Sequence, residues 1–280
     1  MHRHQAILIT GCSSGIGRAT ALEAASRGHQ VFATARDRSS ISDLEGHHGI
    51  SILRLDVTDP ASISRAIEAA VTGAGRLDAV VANAGFGQYG AVEDVPPEDW
   101  RRQFDVNVFG ALETVRAALP AMRERRHGTL VVVSSIAGKV SIPFAAPYCA
   151  AKHALEAIAD ALRLEVAPFG IRVVIVEPGP ITTRFEERAR VEVRRILDRS
   201  GPYSRFYAGA ERAMDKDFQM GRLPAEAVAR TIVESIEAER PRIRYPLTSM
   251  ARVFIPLKRL LPDRLLDWRM KKVLRLPDKV

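Results

Sequence analysis

The sequence predicts an α/β fold, a doubly wound parallel sheet within one main domain, on three observations. Short β-branched runs alternate with helical patterns along the first 180 residues, the signature of repeated βαβ units. The strand runs are almost continuously apolar, as expected where helices cover both faces of a sheet. No Pro/Gly/Ser-rich linker interrupts this alternation.

In chain order the strands are AILIT from Ala6, QVFATA from Gln30, SILRLDV from Ser51, DAVVANAG from Asp78, TLVVVSS from Thr129 and IRVVIVEPG from Ile171. Between them GIGRATALEAASRG and PASISRAIEAAVTGAG repeat apolar residues every three to four positions, which is helical. A further helix opens in APYCAAKHALEAIADAL at Ala146 and offers Leu155, Ile158, Ala159, Leu162 and Val166 to the core. From Thr182 to about Arg222 the chain turns charged and amphipathic without strand signals. Ligands of such sheets sit beyond the carboxyl ends of the strands, so an insertion there is placed to act as a lid. A last strand is expected at Ile243 to Leu247, then one or two helices. These divisions give a catalytic domain over 1–247 and a basic extension over 248–280.

The net charge of +8 is unevenly distributed: residues 240–280 hold twelve Lys/Arg against three Asp, +9, and leave the first 239 residues at −1. A near-neutral body with a basic appendage argues against nucleic acid as the partner. No apolar run reaches eighteen residues, and the amino terminus is too short in apolar character for a signal peptide. With only Cys12 and Cys149, no disulfide framework is expected and a cytoplasmic setting is the default. The tail mixes Arg and Lys with Val253, Phe254, Ile255, Leu260, Leu261 and Trp268. It reads either as a segment packed on its own domain or a partner subunit, or as peripheral contact with an anionic membrane.

After the first strand comes TGCSSGIGRAT, with Gly11, Gly15 and Gly17 ahead of a helix. Backbone that must approach a pyrophosphate, turn sharply and present helix N–H groups needs glycine there. The spacing is G-x-x-x-G-x-G rather than G-x-G-x-x-G. TGCSSGIG resembles the glycine loop of the short-chain dehydrogenases/reductases, and other motifs of that family follow in order. ANAG at Ala82 to Gly85 is similar to NNAG, with Ala82 in place of its first asparagine; NVFG begins at Asn107; VVSSIAG carries Ser135. Tyr148 and Lys152 stand as YxxxK, and EPGPITT at Glu177 to Thr183 resembles PGxxxT. The resemblance spans residues 6 to about 183, and within it the sequence looks most like the hydroxysteroid and retinol dehydrogenase members.

An ordinary tyrosine is about 0.1% phenolate at neutral pH. A cation about 4 Å away at an effective dielectric near 20 would favour the phenolate by about 4 kcal/mol, and i, i+4 spacing places Tyr148 and Lys152 on one helical face. A Tyr148 made markedly more acidic by Lys152 is therefore the expectation. The resemblance implies roles: Tyr148 exchanges the proton with an alcohol or carbonyl oxygen, Lys152 also bonds the nicotinamide ribose, Ser135 bonds the reacting oxygen, and Asn107 holds a water leading from Lys152. It further implies a Rossmann cofactor site made by Gly11, Ser13, Ser14, Gly15, Ile16, Gly17, Asn83, Ala84, Gly85, Pro178, Gly179 and Thr183, with Asp56 and Val57 flanking the adenine. For Asp56 a turn or a helix cap before Pro60 is the competing reading.

At the end of the second strand Arg36 is followed by Asp37 and Arg38. Arginine there pairs with a 2′-phosphate, whereas an acid would accept from a free 2′-hydroxyl. NADP(H) is therefore expected over NAD, with Arg36 and the Ser14 hydroxyl at the phosphate. The resemblance implies a small lipophilic alcohol or carbonyl substrate, with Phe144, Ala145, Pro180, Phe185 and Phe206 as candidate lining, and a homo-oligomer paired through its long helices. The rival readings are an NADP-binding scaffold without turnover and a nucleic-acid binder acting through its tail.

Overall fold

The computed structural model describes residues 4–182, 201–204, 206–207, 222–274 and 276. Seven parallel strands form the sheet: β1 (Ala6–Ile9), β2 (Gln30–Ala35), β3 (Ile50–Arg54), β4 (Ala79–Ala82), β5 (Gly128–Val133), β6 (Ile171–Glu177) and β9 (Arg244–Pro246). Their order is β3-β2-β1-β4-β5-β6-β9. The chain winds outward from β1 in one direction and from β4 in the other, and the reversal opens a crevice at the strands' carboxyl ends.

Successive strand residues bury into opposite layers. Ile7, Ile9, Val31, Ala33, Val131 and Val133 pack on one face, beneath α1 (Gly15–Ser26) and α6 (Ala225–Glu237). Ala6, Leu8, Phe32, Val80, Leu130 and Val132 pack on the other, against α2 (Pro60–Ala74), α4 (Gly110–Glu124) and α5 (Ala146–Val166). This double coverage is why the strands lack an in-out alternation. Each fully buried Val, Leu or Ile is worth about 1.5–3 kcal/mol. Strands end sooner than the apolar runs because LDV, NAG, SS and PG bend away as loops at the crevice.

On α5, Leu155, Ala159 and Val166 are buried and Ile158 and Leu162 half-buried, as expected. Lys152 and Glu156 are buried on the same helix, at 5% and 3% exposure. A helix that hides two charges among its apolar residues has a second duty. Before α4, α3 (Pro97–Phe104) runs into a π-helical turn at Asp105–Phe109, a distortion that re-aims side chains and is frequent at functional sites.

The insertion after β6 leaves and returns at one place: β7 (Ile181–Thr182) pairs in parallel with β8 (Leu223–Pro224). Most of the expected lid, with Thr183 and Phe185, lies outside the described residues. The tail forms two helices, α7 (Ser249–Leu260) and α8 (Asp263–Leu274), divided at Pro262. Thr248 caps α7 by accepting from Ala251 N at 3.1 Å. Met250, Phe254, Ile255 and Met270 cover Ile136 and Val140. The inner face of the tail thus packs on the body, while Val253, Leu260, Leu265 and Trp268 remain exposed.

Asp78, at the entry to β4, ties three parts of the sheet together. It accepts from Ala6 N at 2.8 Å, Arg76 Nε at 2.8 Å and Arg125 Nη1 at 3.0 Å. Burial pushes this carboxyl up, but those donors outweigh burial and hold it below the ordinary range. Its stabilisation is present above the unfolded carboxylate value near 4 and is lost as pH falls through the lower folded value. Asp78→Ala should cost about 1.5–3 kcal/mol at neutral pH, with the penalty shrinking in acid; urea unfolding at several pH values measures both.

Candidate active site

The glycine loop is built by close approach. Gly11 and Gly15 adopt left-handed backbone, φ +76° and +59°, which glycine takes without strain. A Cβ on Gly11 would lie 2.9 Å from Ala84 Cα, and one on Gly17 would lie 2.5 Å from both Asn83 Nδ2 and Gly11 O. Asn83 fastens the loop by donating from Nδ2 to Thr10 O at 2.9 Å. The Thr10 hydroxyl accepts from Asn83 N and Ala84 N, both at 3.0 Å. Ser14 precedes α1 but makes no side-chain cap bond, which leaves its hydroxyl for a ligand at the helix amino terminus.

A cavity of about 650 Å³ runs along the crevice. Among the residues expected at the cofactor, Gly11, Ser13, Ser14, Gly15, Ile16 and Arg36 line its first end, and Asp56, Val57, Asn83, Ala84, Gly85, Pro178 and Gly179 continue it. Gly17 stands behind the loop as a packing residue. Thr183 lies outside the described residues.

At the adenosine end the carboxylates are engaged locally. Asp37 accepts from Ser39 N at 2.9 Å and caps the short 3-10 segment from Arg38. Arg38 pairs with Glu45 on the surface at 2.6 Å. Asp56 accepts from Thr58 N at 3.0 Å and Thr58 Oγ1 at 2.8 Å, so the turn reading describes one of its oxygens. The cap of α2 is Asp59, not Asp56. Burial pushes Asp56 up, but the Thr58 donors, with Arg36 and Arg54, leave it below the ordinary range.

Asn107, Ser135, Tyr148 and Lys152 line the same cavity. Asn107 sits in the π turn with its amide against Gly85, where a Cβ would lie 3.2 Å from Oδ1. Its Oδ1 accepts from Phe86 N at 3.1 Å and its Nδ2 donates to Phe86 O at 2.9 Å. This side chain is thus a clamp on the 85–87 backbone. Ser135 Oγ accepts from Ala137 N at 3.1 Å and is hydrogen-bonded with Tyr148. Lys152 Nζ donates to Val133 O at 2.8 Å and lies 5.9 Å from the Tyr148 ring centroid.

The expected acidification of Tyr148 does not occur among these groups. Burial pushes the phenol up to about 12, only partly offset by the bond with Ser135. Burial also draws Lys152 down to about 8, opposed by Glu156. The error lay in pairing the two through a polar dielectric; both sit where removal from water dominates. Burial likewise raises Cys149, as befits a packed thiol rather than a nucleophile. Among the described residues no His/Cys/Asp/Glu cluster could hold a metal ion.

The other end of the cavity is apolar and aromatic. Phe144, Ala145 and Pro180 line it as expected. Phe206 instead meets Tyr203, ring centroids 6.4 Å apart. Sequence reasoning missed Tyr89, which stacks on Tyr148 at 6.3 Å, and also missed Tyr207 and Leu274. Phe144 holds a left-handed φ of +64°, accepts at its carbonyl oxygen from Gly90 N at 2.7 Å, and meets Tyr207 edge-on at 5.2 Å. The Tyr207 hydroxyl accepts from Ala91 N at 2.9 Å and donates to Asp94. Tyr207 and Leu274 carry no local motif, since only the tertiary fold brings them here.

A glycine cradle at the switch point of a doubly wound sheet, opening onto a buried phenol and ammonium, defines a nucleotide-binding oxidoreductase. Residues 5–193 match the family model described as short chain dehydrogenase. An NADPH-dependent 3-dehydrocapnine reductase of Ornithobacterium rhinotracheale is 35% identical over 268 residues, covering 93% of this chain and 94% of that protein. The 17-beta-hydroxysteroid dehydrogenase type 1 of Homo sapiens is 34% identical over 270 residues, 92% of this chain and 80% of that one. A solved short-chain dehydrogenase from Streptomyces avermitilis, 32% identical, matches with a TM-score of 0.80 over 99% of this chain and all of that one. The chain belongs to the short-chain dehydrogenase/reductase family, oxidoreductases acting on CH–OH groups.

Proposed function

We propose that the protein is an NADP(H)-dependent oxidoreductase that reduces a lipophilic ketone or aldehyde, or oxidises the matching alcohol, with Tyr148 as proton donor and acceptor. The observation that carries this reading is one cavity joining the glycine cradle to Ser135, Tyr148 and Lys152 and then to an aromatic wall. When bound, the nicotinamide cofactor supplies or accepts the hydride. The Gly11 and Gly17 approaches leave no room for side chains where the backbone would meet a pyrophosphate, so the residues present fit such a group.

Ser135 positions the substrate oxygen beside Tyr148, and the Tyr148 hydroxyl passes it a proton as the carbonyl becomes an alcohol. Lys152, held by Val133 O, keeps positive charge beside the phenolate left behind. A phenol pushed up to about 12 is protonated at neutral pH, the form from which a carbonyl oxygen takes its proton. Preference for NADP is supported by Arg36 on the cavity wall, by the uncommitted Ser14 hydroxyl and by the engagement of Asp37 with Ser39. Phe144, Tyr207 and Leu274 support an apolar substrate, as do relatives named for 3-dehydrocapnine and hydroxysteroid chemistry. The scaffold alternative has no feature of the site in its favour.

For assembly, Phe109 and Leu164, 53% and 67% exposed beside and along α4 and α5, support pairing of two copies through those helices. For the tail, the outward Leu260, Leu265 and Trp268 among Arg and Lys support peripheral contact with an anionic bilayer. The extension from residue 248 on is then docked on the preceding domain by one face of its described helices, Ser249–Leu260 and Asp263–Leu274.

Steady-state and binding measurements test the main reading. Arg36→Ala should weaken NADPH binding by at least about tenfold and leave NADH binding unchanged; equal effects on both would remove the NADP assignment. Tyr148→Phe should retain NADPH binding while turnover of apolar ketones falls by about 10²–10⁴-fold; intact turnover would refute its role. For the tail, Leu260→Ser/Trp268→Ser should lose flotation with phosphatidylglycerol vesicles at unchanged melting temperature, and equal flotation of both proteins would end the membrane reading.

A further inference from the structure

Four polar residues recur at i, i+4 along one stripe of α5: Tyr148, Lys152, Glu156 and Asp160. The last two lead away from the cavity into a charge cluster gathered from several elements. Glu156 Oε2 meets Lys139 Nζ at 2.7 Å, from the segment after β5, and Arg244 Nη2 at 3.2 Å, from β9. Glu177, at the end of β6 and 1% exposed, faces Arg244 Nε at 3.3 Å and Lys139 Nζ at 3.8 Å. Asp160 takes Arg244 Nη2 at 2.6 Å and Arg163 Nη2 at 3.3 Å. From α7, Lys258 donates to Lys139 O at 2.6 Å.

Two features show that this is more than a set of ion pairs. The Glu156 and Glu177 carboxyls are in hydrogen-bonding contact, and Glu156 Oε1 is buried with no hydrogen-bond partner among the described residues. Gly138 permits the close packing, since a Cβ there would lie 3.0 Å from Glu156 Cγ and 3.0 Å from Lys152 O. Lys152 itself forms no carboxylate salt bridge among the described residues; its ammonium rests on one carbonyl oxygen, Val133 O. Its nearest counter-charge along the helix is Glu156, one turn on.

We propose that Glu156 is a positioning residue of the reacting site: it keeps the Lys152 ammonium charged from one turn behind, and Glu177 adjusts that hold by taking or releasing a proton. This rests on the reading of Tyr148 and Lys152 as the reacting pair. The electrostatics of the cluster agree with this geometry. Burial and then the Glu156 charge push Glu177 up to about 7, while burial draws Lys152 down to about 8. Ionisation of Glu177 adds negative charge beside Glu156, and that charge opposes loss of the Lys152 proton. The buried pair therefore extends the range over which Lys152 stays cationic toward alkaline pH.

The test uses the full chain saturated with NADP and labelled with [ε-¹³C]lysine, the Lys152 signal being assigned by its absence in Lys152→Met. In Glu156→Gln the Lys152 titration midpoint should fall by about one pH unit. The alkaline limb of the kcat profile for ketone reduction should move with it, while KM values in the acid plateau change by less than about twofold. Glu156→Asp, which keeps the charge, should recover most of the midpoint. An unmoved midpoint in folded Glu156→Gln overturns the proposal. If that variant does not fold, Glu177→Gln must lower the midpoint as well, and an unmoved midpoint there overturns it equally. The NMR midpoint is read without turnover, so a wild-type protein inactive on every ketone would refute the oxidoreductase reading while leaving the Glu156 effect to be decided by the titration.

Discussion

The constraint on which the structure turns is a primary ammonium taken out of water. Lys152 is 5% exposed and has one carbonyl acceptor, an arrangement that would be expensive in isolation. The fold accommodates it by placing the end of β5 within reach, by setting Glu156 one helical turn away, and by surrounding Glu156 with Lys139, Arg244 and Glu177. Val133, Glu156, Glu177 and Arg244 come from four different elements. A local charge problem has become a reason for β5, β6, β9 and α5 to hold one relative position.

The same constraint explains how the cavity is divided. Its nucleotide end is made of backbone, with Gly11 and Gly17 leaving room for close approach and Thr10 and Asn83 fastening the loop from behind. The reacting end consists of side chains held by other side chains or carbonyls. Beyond it lie rings, Tyr89 on Tyr148 and Phe144 on Tyr207. Polarity thus falls along the cavity, in the direction that suits a charged cofactor and an apolar substrate meeting at one phenol.

The fold was legible in the sequence because each strand announced itself locally. Doubly covered strands read as unbroken Val/Ile/Leu runs, and glycines needed for close approach stand at fixed offsets after β1. The candidate site was legible wherever its residues share a segment, as Tyr148 and Lys152 do. It was not legible where contact depends on folding: Tyr207 and Leu274 arrive from distant parts of the chain, and the two hydrogen bonds of Asn107 to the Phe86 backbone have no local signal. The protonation of Tyr148 was misjudged because pair spacing is visible in a sequence and removal from water is not. Glu156 shows the opposite case, since its i+4 position after Lys152 was in plain view but acquires meaning only beside Glu177 and Arg244.

Leu274 belongs to α8, the last helix in chain order, and yet it forms part of the cavity wall. Helices α7 and α8 rest on Ile136 and Val140 rather than on the sheet. A change confined to them can therefore reshape the apolar chamber while the glycine loop and the strands keep their places.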